Sequence, residues 1–271
     1  MTKVFLVDLS HCNGCYNCQI VCKDEHCGQD WQPYAAAQPD TGQFWMRLDE
    51  KERGQVPWVR VAHTPIFCSH CADPACAAAC SSNAFERRDD GLIVLSPQKC
   101  TGCRDCLDAC PLGVIYFNEQ LNIAQKCTGC AHLLDNGWEV PRCVDACAHE
   151  VIRYAEESEF GDLLRDAETL PAMDGCGARV YYRNLPRRFM AGSVVDLKAD
   201  ELLIGAEVKA RASDGTELTL MTDDLGDFKF DQIAPDMYQL TISAKGFQEH
   251  TLTADLRDID RSLGDIALTS I

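Results

Sequence analysis

The chain has 271 residues, a formal net charge of −17 and 18 cysteines, with an ordinary hydrophobic content of 46%. That length accommodates two domains. The acidity excludes a general nucleic-acid binder, which needs Lys and Arg against phosphate, and disfavours docking on an anionic membrane surface. Seventeen of the cysteines precede residue 150 and none follows Cys176, so a cysteine-rich N-terminal part and a plain C-terminal domain are expected.

In chain order, a short strand over residues 3–9 leads into Cys12, Cys15, Cys18 and Cys22, spaced by two, two and three residues. A helix is predicted after Cys15 to about His26, and Gly14 gives the permissive backbone that close wrapping requires. Residues 23–66 form an insertion without such a motif; 44–52 and 55–63 read as a strand pair around Gly54. Trp31, Trp45 and Trp58 fall in this insertion. They suit packing over a core short of aliphatic filling, or contact with a partner.

A second group is Cys68, Cys71, Cys76 and Cys80, with four residues in its middle gap. The strand-like segment 91–95 separates it from a third, Cys100, Cys103, Cys106 and Cys110, in CTGCRDCLDACP. The fourth is Cys127, Cys130, Cys143 and Cys147, split by AHLLDNGWEVPR, which reads as a helix stopped at Asn136–Gly137.

The CxxCxxCxxxCP run is the bacterial ferredoxin pattern for a 4Fe–4S cluster: three thiolates meet one cube and the fourth serves a neighbouring cluster. Pro111 ends the short helix behind it. Groups two and three, adjacent in sequence, make one exchanging pair; groups one and four make the other. Four clusters follow. Cluster A is expected on Cys12, Cys15, Cys18 and Cys147; cluster B on Cys127, Cys130, Cys143 and Cys22. Cluster C is expected on Cys100, Cys103, Cys106 and Cys80; cluster D on Cys68, Cys71, Cys76 and Cys110. A disulfide framework suits small secreted chains, and zinc sites use separated CxxC pairs; neither accounts for the run. Cys27 and Cys176 fall outside the pattern and read as free thiols. His70 and His132 are expected to hydrogen-bond sulfur or backbone, and His149 to be structural.

No Ser/His/Asp set, paired carboxylates, dinucleotide fingerprint or phosphate loop stands out, so no catalytic residue is assigned. Electron carriers without a site for chemistry point to an electron conduit. Residues 156–189 read as a connector with a short acidic helix over 156–167. Its ARVYYRNLPRRF segment carries Arg179, Arg183, Arg187 and Arg188, which could clamp the connector or meet an acidic partner. From residue 190, about seven short alternating runs separated by turn signals read as a β-sandwich. Phe228, Phe230, Tyr238, Leu240 and Ile242 are expected to point inward. The expected fold class is α+β: two interlocked ferredoxin-like folds over 1–155, then an all-β sandwich over 190–271.

Sixteen cysteines in these four groups resemble the iron–sulfur subunits of molybdopterin oxidoreductases of the dimethyl sulfoxide reductase type, over roughly residues 1–155. The resemblance implies four 4Fe–4S clusters in a row. It also implies a large catalytic partner subunit holding a molybdopterin with molybdenum or tungsten, with cluster A nearest to it. AQKCTGCAHLLD, RVYYRNL and the appended sandwich also look like the small subunit of pyrogallol–phloroglucinol transhydroxylase and the related catechol dehydroxylases of anaerobic bacteria. Residues 222–247 are similar to the carboxypeptidase regulatory-like module. The transhydroxylase small subunit lacks part of the set in groups two and three, which is complete here. The implied function is electron transfer within a heterodimer acting on an aromatic hydroxyl, by dehydroxylation or transhydroxylation. The implied external donor is a ferredoxin, flavoprotein or membrane quinone subunit. A free-standing polyferredoxin-type carrier is the alternative. No apolar segment approaches the roughly 18 residues of a membrane span, and MTKVFLVDLSHC does not read as a signal peptide. The expected location is the cytoplasm, or export with a partner bearing a twin-arginine signal.

Overall fold

The computed structural model describes residues 2–271. The chain divides into two compact units, one of residues through Glu50 with His63–Leu185, the other of Lys51–Ala62 with Pro186–Ile271.

The first unit is built on β1 (Lys3–Asp8), the central strand of a three-stranded sheet. It pairs antiparallel with β8 (Ile152–Glu156) and parallel with β9 (Val180–Arg183). A strand covered on both faces is apolar at every position rather than at alternate ones, and Val4, Phe5, Leu6 and Val7 are all buried. Phe5 and Val7 face the main core with Trp45, Phe67, Tyr182 and the thiols of Cys18, Cys22 and Cys143. Val4 and Leu6 face Phe160 on the other side. The Arg-rich connector segment is therefore sheet: Arg183 meets Asp8 at 3.3 Å, and the Arg179 guanidinium donates to the Gly91 carbonyl at 2.6 Å. The acidic helix expected over 156–167 is one turn, α6 (Glu157–Phe160), followed by a 3-10 turn.

Between these strands run α1 (Asn17–His26), the hairpin strands β2 (Met46–Gln55) and β3 (Trp58–Phe67), α2 (Ala75–Ala78), β4 (Phe85–Arg87) and β5 (Ile93–Leu95). Then come α3 (Asp105–Ala109), β6 (Ile115–Asn118), β7 (Ile123–Lys126), α4 (Ala131–Asp135) and α5 (Arg142–Asp145). Strands β4 and β5 pair between cysteine groups two and three, and β6 and β7 between groups three and four. Trp45 is 1% exposed in the core, and Trp31 stacks on His132 at 4.4 Å, so both serve packing.

The β2–β3 turn lies at Val56–Pro57 rather than at Gly54. Gly54 is inside β2 at φ +83°. A Cβ there would meet the Trp58 carbonyl at 2.2 Å and the Phe189 ring at 2.6 Å, so close packing, not turning, requires the glycine.

The second unit is a β-sandwich. Among the described residues it has eight strands in two sheets. In one, β10 (Arg188–Asp196) pairs with β11 (Glu201–Leu202), β14 (Asp227–Ile233) and β17 (Arg261–Ala267). The other runs β13 (Glu217–Met221), β12 (Glu207–Arg211), β15 (Met237–Ser243), β16 (His250–Asp255). Alternation selects its core, and Phe228, Phe230, Tyr238, Leu240 and Ile242 all point into it. The short β11 has too little pattern to stand out in the sequence.

The tip of the β2–β3 hairpin belongs to this unit. Arg53 donates to both carboxylate oxygens of Asp260 at 2.8 and 2.9 Å, and Asp260 also accepts the Phe189 N–H at 2.9 Å. Arg53 and Arg60 approach the Phe189 ring at 5.8 and 5.2 Å. The side chain of Asp260 is 3% exposed and that of Arg53 11%, so removing the carboxylate leaves a largely enclosed guanidinium without its partner. Asp260→Ala is expected to cost about 3–5 kcal/mol, whereas Arg53→Met with Asp260→Leu should cost far less; denaturant unfolding of the two variants checks the difference.

Candidate metal centres

Each cysteine group opens with a tight loop that presents successive thiols, and a helix turn then carries the last thiol away. Groups one, three and four have glycine before their second cysteine, and all three have positive φ: Gly14, Gly102 and Gly129. In group two His70 takes that place, at φ +44°. Gly102 is pinned from outside as well, since a Cβ there would lie 2.6 Å from the Asn122 backbone carbonyl. Backbone N–H groups are directed at sulfur: Gly129 to Cys127 at 3.3 Å, Ala84 to Cys80 at 3.4 Å and Ala124 to Cys100 at 3.4 Å.

Two of the predicted quartets each line one pocket. Cys12, Cys15, Cys18 and Cys147 line one pocket with His149, whose Nε2 is 2.9 Å from Asn13. Cys68, Cys71, Cys76 and Cys110 line another. The thiols of Cys22 and Cys143 are electrostatically coupled to Cys127 and Cys130. That of Cys106 is coupled to Cys80, Cys100 and Cys103. Shared apolar clusters join cysteines of different quartets: Cys18 with Cys22 and Cys143 in one, Cys68 with Cys127 in a second, and Cys106 with Cys76 in a third.

Burial first, then repulsion from neighbouring thiols, pushes these groups up: Cys18, Cys71 and Cys106 to about 12, with Cys22 and Cys143 raised strongly. Cys76 and Cys127 rise to about 11, again by burial, with the cation of Lys126 opposing the rise. Cys80 goes the other way. Burial works against ionisation there, but hydrogen bonds from Ser82 and the Ala84 N–H prevail.

This donor chemistry fits a multi-iron cluster. Four thiols and inward N–H groups match a cube whose corner sulfurs accept hydrogen bonds. The Thr128 hydroxyl, in the Cys127–Cys130 loop, is buried without a partner. Among the described residues no set of three or more His, Cys, Asp or Glu has the spacing to hold a single ion, which at about 2.3 Å per zinc–sulfur bond draws its thiolates closer than a cube does. No disulfide joins cysteines among the described residues.

Two participants carry no signal of their own in the sequence. Cys176 reads there as a bystander; its thiol lies in the same pocket as quartet D and repels Cys71. Lys126 is 2% exposed and donates to Cys68 Sγ at 3.5 Å. His132 departs from the expected bond to sulfur or backbone, its Nε2 lying 3.0 Å from the Glu25 carboxylate, while Cys27 is a free thiol as expected, 3.8 Å from Asp40 Oδ1.

Thiols on a fold that pairs groups in this way define an iron–sulfur protein of the electron-transfer class. A family model for the 4Fe-4S dicluster domain matches residues 59–157, and one for the carboxypeptidase regulatory-like domain matches residues 190–269. The pyrogallol hydroxytransferase small subunit of Pelobacter acidigallici is 33% identical over 273 residues, covering 97% of this chain and 98% of the relative. A component of the anaerobic dimethyl sulfoxide reductase of Escherichia coli is 32% identical over 177 residues, 59% of this chain and 78% of the relative. A component of the tetrathionate reductase of Salmonella typhimurium is 32% identical over 193 residues, 68% of this chain and 73% of the relative. The protein belongs to the iron–sulfur, electron-transfer subunits of molybdopterin oxidoreductases, the family that includes the pyrogallol hydroxytransferase small subunit. Among the described residues no helix is long and apolar enough to cross a membrane.

The loops and their charges can be probed directly. Gly102→Ala should cost about 1–3 kcal/mol through strain and backbone contact and lower the iron content. Gly113→Ala, at φ +58° with nothing within 4 Å of the added methyl, should cost about 1 kcal/mol and leave iron unchanged; thermal unfolding and metal analysis separate the two. For the cluster-free chain, thiols raised from 9.0 to about 11–12 stay protonated in the fold where the unfolded chain ionises. Their contribution is present below pH 9 and lost as pH rises towards 12. Unfolding measured from pH 8 to 11 should show stability falling with pH, whereas a cluster-loaded chain, its thiolates already deprotonated by iron, should not follow that slope.

Proposed function

We propose that this chain is the electron relay of a heteromeric molybdopterin enzyme that removes or moves an aromatic hydroxyl. Four 4Fe–4S clusters would be held by Cys12, Cys15, Cys18 and Cys147 (A), by Cys22, Cys127, Cys130 and Cys143 (B), by Cys68, Cys71, Cys76 and Cys110 (D) and by Cys80, Cys100, Cys103 and Cys106 (C). They would lie in two interlocked ferredoxin-like folds within residues 1–155. The connector (156–189) and sandwich (190–271) would serve docking or assembly. The observation that carries this reading is that cysteines from separate groups share pockets, Cys12, Cys15 and Cys18 with Cys147, and Cys68, Cys71 and Cys76 with Cys110.

When bound, such clusters supply one-electron carriers whose potentials depend on hydrogen bonding, charge and exposure. The chain's own part is to bury them, to aim N–H groups at their sulfurs and to keep them in sequence. Catalysis belongs to a large partner subunit with molybdenum or tungsten, a division of labour suggested by the subunit architecture of the relatives. Removing a hydroxyl from an arene takes two electrons and two protons and releases water; moving a hydroxyl between two phenols takes no net electrons. The complete set of quartets favours the first, with an external one-electron donor such as a ferredoxin, a flavoprotein or a quinone-linked subunit, in the cytoplasm.

Anaerobic purification from the native host through a tag on this chain, followed by metal analysis, tests the reading. About sixteen irons per chain, beyond those of a co-purifying large subunit with molybdenum or tungsten, are expected. Full iron with no partner would instead make the chain a free carrier. Hydroxyl transfer between phenols without added reductant would exclude the reductive direction.

A further inference from the structure

Cys127 of B and Cys68 of D pack in one apolar cluster and are bridged by side chains from both loops. Two side chains form this junction, each supplied by the other's loop. Lys126, next to Cys127, donates from Nζ to Cys68 Sγ at 3.5 Å, to the Ile93 carbonyl at 2.5 Å and to the Cys127 carbonyl at 2.8 Å. His70, in the Cys68–Cys71 loop, accepts the Ile93 N–H on Nδ1 at 3.0 Å, and its Nε2 is 3.8 Å from Cys127 Sγ. With Nδ1 accepting, the neutral ring carries its proton on Nε2, towards the sulfur. Both side chains are at most 2% exposed. Among the described residues Lys126 is the one buried Lys or Arg, and its hydrogen bonds go to sulfur and carbonyls rather than to a carboxylate. A cation buried against thiols in a chain of net charge −17 is costly unless it faces negative charge.

We propose that Lys126 is a positioning charge for electron transfer. By donating to Cys68 it raises the reduction potential of the cluster in quartet D, and by proximity that of B, so that the electron is held preferentially at the junction between the two pairs. The inference rests on the four-cluster reading above. Reduction adds one electron to a cluster from its neighbour and ultimately from the external donor; no bond forms or breaks, and no proton is required. The fixed positive Nζ favours the more negative, reduced state because a buried charge pair is little screened. Cys68–Ser69–His70 gives the same junction a second link, from the backbone of one loop to the sulfur of the other.

The test is redox titration of the anaerobically purified complex, followed by electron paramagnetic resonance, with Lys126→Gln and Lys126→Met as two neutral variants and Lys126→Arg as the rescue. In the neutral variants the equilibrium constant for one-electron reduction at D should fall about tenfold, a midpoint about 59 mV lower for a one-electron couple. A smaller fall is expected at B and none at A, and Lys126→Arg should restore most of the shift. The shifted signal is assigned to D by its loss or alteration in Cys71→Ser. Unchanged midpoints at full iron content in both neutral variants would overturn the proposal. Loss of iron from both would also overturn it, by making Lys126 a scaffold residue. Absence of iron from the unmodified complex would sink the cluster reading itself, a result distinguishable from either.

Discussion

Crowded, buried sulfur is the constraint on which the first unit depends. Cys18, Cys22 and Cys143 belong to the same core as Phe5, Trp45 and Tyr182, and the thiols around them resist ionisation because they are desolvated and face one another. Such a core is acceptable as neutral thiols or as thiolates around concentrated positive charge, and little lies between those states. The aromatic side chains on β1, β3 and β9 supply the apolar filling that sulfur alone lacks. The loops supply N–H groups, which stabilise sulfur charge without carrying a full charge themselves.

What can be read from the sequence divides by range. The cysteine groups are local, fixed by spacings of a few residues, and their distribution among quartets follows from how paired groups exchange a fourth thiol. In the structure Cys147 shares a pocket with the first group and Cys110 shares one with the second. Alternation over β14 and β15 identifies the inward side chains of the sandwich because a half-buried strand leaves a period of two in its sequence. Gly54 misleads because a glycine needed for close approach looks the same in sequence as one needed for a turn. Strand β9 is hidden in a basic segment, since Arg179 and Arg183 find their partners on β1 and the Gly91 loop. Lys126 and Cys176 are invisible for a similar reason: nothing local distinguishes a buried lysine from an exposed one, or a thiol beside a quartet from a bystander.

Among the titratable groups of the first unit, His70 and Lys126 are buried beside cysteine sulfur. His70, standing where three other loops have glycine, accepts an unusual backbone conformation and gains a ring that reaches across to Cys127. Substituting glycine there would relax the backbone and remove the cross-loop contact together, so local strain and long-range connection are properties of one residue.

The hairpin strands β2 and β3 leave one compact unit after Glu50 and return to it at His63, with the intervening residues forming part of the other. The consequence concerns synthesis. Arg53 emerges from the ribosome more than two hundred residues before its partner Asp260, so the early segment must wait, charged and unpaired, until the last strands are made. The C-terminal unit is therefore not a module that can be cut away at a linker: truncation before Pro186 would strand the hairpin tip, and expression of Pro186–Ile271 alone would lack it. A fusion or domain exchange made with this chain has to transfer two separated segments together.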